Sequence, residues 1–161
     1  MTLAAPTTQV YQLYIKATPE QVWEAITSNE FRTKYFHGSS VESTFEKGAT
    51  IRAWSPDHSE LWNDNEVLES DPPRRLVHTW RSMYDPAMAA EDDSRVTWEV
   101  TSQDGGISKL TLTHDQLERA PKTAQSVSGG WMLILCGLKT VVETGEPLTP
   151  ALAGMQRAQT A

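Results

Sequence analysis

The stretch from Ser128 to Gly145, SGGWMLILCGLKTVVETG, constrains the fold more than any other part of the chain. Trp131, Leu135, Leu138 and Val142 recur at i, i+4, i+7 and i+11, one stripe of a 3.6-residue helix. Ile134 and Val141 widen that stripe, and Lys139 and Glu143 take the opposite side. Gly145 followed by Pro147 predicts the stop, since glycine accepts a left-handed cap and proline cannot extend the hydrogen-bond ladder. At 1.5 Å per residue such a helix is about 27 Å long, so its apolar face needs a partner the size of a small sheet. Met132, Leu133 and Cys136 lie off the stripe and call for a second cover over the first half, from a loop or from a second copy of the chain in a homodimer.

The partner is legible between Ser40 and His114, where the period of apolar residues changes from 3.6 to 2. Strands are predicted over Val41 to Phe45, Ala49 to Trp54, Leu61 to Glu69, Arg75 to Ser82, Arg95 to Ser102 and Ser108 to His114. Glu46-Lys47-Gly48, Ser55-Pro56-Asp57, Asp71-Pro72-Pro73 and Asp104-Gly105-Gly106 supply turns, the last with two glycines that tolerate positive φ. Asp85 to Ser94 (DPAMAAEDDS) is longer and acidic, either a plain surface loop or a lid at a cavity mouth. Upstream, Val10 to Lys16 reads as a first strand. It stops at Thr18 as N-cap, Pro19 at the first helical position and Gln21 completing a capping box. Ser28 reads as a second N-cap, opening a short helix with Phe31, Tyr35 and Phe36 that Gly38 ends. Strand, two short helices, six strands and a long helix make an α+β domain, a seven-stranded antiparallel sheet curved around the C-terminal helix. The expected division is a loose residues 1–8, a single domain over 9–146 and a patternless tail over 147–161.

With 161 residues, one domain with a substantial core suffices. Twenty-one acidic against 14 basic side chains, a formal charge of −7, with no basic run longer than Arg74-Arg75, argue against a nucleic-acid surface. There is no apolar run of membrane-spanning length and no secretory leader pattern, so the expected address is cytoplasmic. Cys136 is alone and reads as a small buried hydrophobe. No zinc spacing, nucleophile elbow or His-Glu-x-x-His is present, and neither metal nor cofactor is expected.

Chemistry could reside in three groups of residues. Six tryptophans, Trp23, Trp54, Trp62, Trp80, Trp98 and Trp131, are many for this length; each offers a large apolar body and one N–H, which suits either a core or a cavity wall. His78 shares a strand face with Leu76 and Trp80, and His114 with Leu110 and Leu112; an imidazole there is either a satisfied core group or a general acid or base. In LWNDNEVLE, Trp62, Asp64 and Glu66 share one side and Asn63, Asn65 and Val67 the other, so one polar set meets water and the other could orient a ligand.

Four segments, TPEQVWEAIT, VLESDPPRRLVHTW, VTWEVTSQDGGISKLTLTH and GGWMLILCGLKTVVE, in this order and spacing resemble the START-like SRPBCC superfamily. The branch they are most similar to comprises homologues of the C-terminal domain of the Hsp-90 ATPase activator, and the likeness covers about residues 9 to 145. The resemblance implies a helix-grip fold with an elongated apolar cavity between sheet and C-terminal helix. It implies binding of a lipid, sterol, polyketide or other hydrophobic small molecule, as carrier or sensor. Trp54, Trp62, Trp80, Trp98, His114, Trp131, Leu135 and Leu138 would line that cavity. Some branches catalyse cyclisation or dehydration, for which His114, His78, Asp64 and Glu66 are the acid-base candidates here. A chaperone-related protein-binding module is the third class. The chain starts at the first strand, where eukaryotic activators carry a further domain that engages the chaperone, so the likeness carries the fold further than the co-chaperone role.

Overall fold

A computed structural model describes residues 4–155 of the chain. Strand β1 (Gln9–Ile15) leads into helices α1 (Pro19–Thr27) and α2 (Asn29–Tyr35). Strands β2 (Ser40–Glu42), β3 (Thr50–Trp54), β4 (Leu61–Asp71) and β5 (Arg75–Trp80) follow, then the short helix α3 (Pro86–Ala89), β6 (Ser94–Gln103), β7 (Ile107–Asp115), α4 (Pro121–Val127) and α5 (Trp131–Thr144). The seven strands form one antiparallel sheet in the order β1-β7-β6-β5-β4-β3-β2, so β1 joins the last strand and β2 is left at the far edge. The curved sheet grips α5, which lays Trp131, Ile134, Leu135, Leu138 and Val141 into the core. This is the helix-grip architecture read from the sequence.

Local chemistry explains the element starts. Gln21 N donates to Thr18 Oγ1 at 3.2 Å and Thr18 N to Gln21 Oε1 at 2.9 Å, the predicted capping box. Ser28 makes no side-chain cap bond; Asn29 instead bonds both polar groups of the Val41 backbone and ties α2 to the edge strand. The Gly105 and Gly106 turn has φ of +85° and +76°, which only glycine adopts freely.

Two expectations shift. The C-terminal helix begins at Trp131 and not Ser128, which shortens it to 14 residues, about 21 Å, because α4 precedes it. Helix α4 has no local cap; Glu91, some thirty residues upstream, accepts from Lys122 N, Thr123 N and Thr123 Oγ1 at 2.8–2.9 Å. The tail expected over 147–161 is not loose where it is described. Residues 151–153 form a 3₁₀ turn, Gly38 N donates to Leu152 O, and Leu152 is fully buried. Its side chain closes on Gly137, where α2 comes so near α5 that an added Cβ would lie 2.9 Å from Leu152 and 3.1 Å from Tyr35. At the other end Gln9 Nε2 reaches Pro6 O, and Leu117 N donates to Thr7 O, so residues 6 and 7 are tied down. The remainder of both expected loose ends, 1–3 and 156–161, lies outside the described residues.

Candidate functional site

The space between sheet and α5 has two parts. The inner part is filled. Trp98 Nε1–H donates to His78 Nε2 at 3.0 Å, and Trp131 Nε1–H donates to His114 Nδ1 at 3.0 Å. The remaining ring nitrogens are also engaged, His78 Nδ1 with Thr79 O at 2.7 Å and His114 Nε2 with Ser94 Oγ at 2.8 Å. Each imidazole therefore accepts at one nitrogen and donates at the other, which fixes a neutral tautomer. Burial lowers the pKa of His78 to about 4, with Arg32 adding to the shift, and that of His114 to about 3, with His78 adding to it. The rings of Trp80, Trp98, His114 and Trp131 meet at centroid distances of 5.3–6.0 Å, mostly edge to face.

The geometry weighs against the acid-base reading of the two histidines. With both nitrogens bonded within the protein and the pKa lowered by burial, each imidazole stays neutral near neutrality and its proton is already engaged. Asp64 and Glu66 are excluded for a different reason. On β4 the buried positions are Asn63, Asn65 and Val67, so Asp64 and Glu66 face water, Asp64 beside Arg52 at 3.6 Å. The inward asparagines serve the backbone: Asn63 Nδ2 donates to Arg81 O, and Asn65 Oδ1 accepts from Arg81 N.

The outer part is open. A cavity of about 480 Å³ lies between the end of α2, the start of β4, the end of β5 and the α4–α5 junction. Phe36, Trp62, Trp80, Tyr84, Trp131 and Ile134 form its apolar walls, and His37, Ser39, Glu60, Asn63 and Ser126 bring polar atoms to it. Tyr84, which opens the 84–94 connection, has its hydroxyl 3.3 Å from Ser126 Oγ across the mouth. That connection buries Met88 in α3 and is held by Arg81 to Asp93 at 2.7 Å and by Glu91 at α4. A groove of similar volume, about 500 Å³, runs along Trp23, Thr44 to Lys47, Ser70 and Pro72 on the outside, but there only Trp23 and Phe45 are aromatic.

Of the predicted cavity residues, Trp62, Trp80 and Trp131 border the outer cavity, and Trp98 borders only a void of about 10 Å³ beneath it. His114 is locked in the filled cluster, and Leu135 and Leu138 are solid core further along α5, where β1 and α1 close on the helix. Trp54 borders neither space, because it follows Ile51 and Ala53, the inward positions of β3, and so falls on the other face. Met132 and Leu133 stay exposed at 43% and 46%; the 84–94 connection does not cover them. Arg32 was not anticipated. It is buried to 7% exposure under Phe36, and the signal was available: Arg32, Tyr35 and Phe36 stand at i, i+3 and i+4, a cation on an apolar stripe. Among the described residues no cluster of three or more His, Cys, Asp or Glu could hold a metal, and no helix is long and apolar enough to cross a membrane.

Sheet order, gripped helix and a cavity at the open end of the grip place the chain in the START-like SRPBCC superfamily. Residues 16–143 match the model of the family described as activator of Hsp90 ATPase homolog 1-like protein, and the chain belongs to that family. No protein of curated function matches it significantly. Similar solved structures include CalU16 from Micromonospora echinospora, with 21% identity over 90% of this chain and 78% of that one and a TM-score of 0.66. The Aha1 dimer from Colwellia psychrerythraea is 16% identical over 86% and 97%, with a TM-score of 0.67. DynU16, a protein in the dynemicin biosynthetic locus, is 22% identical over 88% of this chain and 49% of its own, with a TM-score of 0.67. At these identities the likeness is one of fold.

Proposed function

We propose that the chain binds a hydrophobic, aromatic small molecule in the outer cavity, as a carrier or sensor. The observation that carries this reading is the cavity itself. About 480 Å³ lies within the range of small-molecule sites, with Phe36, Trp62, Trp80 and Trp131 as walls and a few polar groups among them. Tyr84, the first residue of the strapped 84–94 connection, stands at its mouth beside Ser126. The origin of DynU16 in a biosynthetic locus supports a small-molecule ligand over a protein one. The engagement of both histidines in the inner cluster and the outward course of Asp64 and Glu66 favour this reading over the cyclase or dehydratase alternative. A homodimer through the exposed Met132 and Leu133 is consistent with the dimeric neighbour and would leave the cavity on each protomer.

The test is a thermal-shift screen of lipids, sterols, polyketides and planar aromatics, read together with tryptophan emission. A true ligand at a hundredfold excess over Kd should stabilise by about 2.7 kcal/mol. It should also shift the emission of Trp62, Trp80 and Trp131, which border the cavity. Silence across all four classes would remove the carrier reading.

A further inference from the structure

Behind the apolar wall of the cavity lies a charge without a counter-ion. Arg32 stands one turn before Phe36, and its guanidinium carbon lies 4.5 Å over the centre of the Phe36 ring. Nη1 donates to Ile26 O at 3.1 Å, whereas Nε is buried and has no acceptor. Among the described residues no carboxylate lies within ion-pair distance of it. Burial lowers the pKa of the guanidinium and the neighbouring Tyr35 oxygen offsets part of that, but an arginine side chain stays protonated in proteins. A buried cation answered by one carbonyl, a ring face and the neighbouring Tyr35 oxygen, with no carboxylate beside it, is a costly arrangement, and most proteins supply an anion.

The surroundings of Arg32 connect it to the cavity. Arg32, Phe36, Asn63 and Trp80 border the inner void of about 10 Å³, and Phe36, Asn63 and Trp80 also border the outer cavity. These three side chains are thus a shared wall, and Phe36, half-buried just past the end of α2, is the one that covers the guanidinium. Rotating Phe36 aside would join the void that Arg32 borders to the outer cavity.

We propose that the ligand is an amphipathic anion whose flat apolar body lies among Trp62, Trp80 and Trp131 and whose single carboxylate passes Phe36 to pair with Arg32. This rests on the reading of the cavity as a small-molecule site and adds the chemical class of its occupant. Arginine suits the role, because its planar fork matches a carboxylate and the low-dielectric surroundings strengthen the pair. The net charge of −7 makes the choice selective, since a free anion gains little from the rest of the surface.

The probes are 2-naphthoic acid, ionised at pH 7.5, and neutral 2-naphthalenemethanol, titrated against tryptophan emission in the intact chain and in Arg32→Met. The intact chain is expected to bind the acid at least tenfold more tightly than the alcohol. Arg32→Met is expected to bind the two alike, with a Tm equal to or above that of the parent, because an unpaired buried charge has been removed. Equal affinities in the intact chain, or a preference that survives in Arg32→Met, would overturn the role of Arg32 and leave the cavity reading standing. If neither probe binds and the wider screen is also silent, the cavity reading itself falls and this inference with it. Should Arg32→Met fail to fold, Phe36→Leu thins the shared wall and is expected to raise the association rate of the acid several-fold but not that of the alcohol. An equal change for both overturns the proposal.

Discussion

The inner and outer halves of the space under the sheet use the same residue types to opposite ends. In the inner half Trp98 and Trp131 give their N–H to an imidazole and Trp80 gives its N–H to Ser82 Oγ, every imidazole nitrogen has a partner, and the rings close up to 5.3–6.0 Å. In the outer half Trp62 turns its N–H outward to Glu60 at 3.3 Å, and the faces of Trp80 and Trp131 look onto free volume. Tryptophan content alone therefore says nothing about whether a grip is filled or open. What differs is the neighbour of each ring: in the inner half other rings close on it, whereas in the outer half one side borders free volume. Trp131 belongs to both halves, with its N–H in the sealed part and one flank on the cavity.

The comparison can be broken most forcefully at Trp98. Trp98→Ala should lower stability by about 3 to 5 kcal/mol in denaturant unfolding, since it removes a ring 2% exposed and strips His78 of its donor. A change under 1 kcal/mol would show that the inner cluster is not tightly filled. Acid should act on the same cluster. The folded-state pKa values of His78 and His114 lie below the unfolded value near 6.5, so in that window the unfolded chain binds more protons and stability falls as pH falls. The loss should begin below about pH 6.5, run at roughly 1 kcal/mol per pH unit for each histidine, and level off near pH 4 for His78 and near pH 3 for His114. Urea midpoints that stay constant from pH 7 to 5 would contradict the locked neutral rings. Gly137→Ala should cost about 1 to 3 kcal/mol despite a better helix propensity, because the new methyl meets Leu152 and Tyr35. A gain in Tm there would mean that the docked tail yields easily. The smallest stability effect belongs to the open half. Trp62→Ala should shift unfolding by less than about 1 kcal/mol, since Trp62 is only partly buried, while weakening any cavity ligand tenfold or more.

Much of the fold was readable because it rests on local periodicity. The period-2 runs and the stripe from Trp131 to Val142 each carry their own signal, and the parity argument put Leu76, His78, Trp98 and His114 on the buried face. What escaped the sequence depends on contacts between distant positions. Helix α4 takes its cap from Glu91, and Leu152 is buried because Gly137 leaves it room. The site was only half legible for the same reason. Parity shows that His78 and His114 point inward, but not that indoles occupy them, and it cannot choose which face of β4 is wet. Trp54 was misplaced by treating all tryptophans alike, although its neighbours Ile51 and Ala53 already claimed the inner face.

If the outer cavity takes a guest as proposed, the strap at Glu91 bears on how fast it can come and go. One carboxylate holds two backbone amides and a hydroxyl of α4, and it belongs to the same connection that sets Tyr84 over the entrance. Under that proposal entry and escape would have a gatekeeper outside the cavity lining, so Glu91→Ala would quicken both rates together and leave the equilibrium between them nearly where it was.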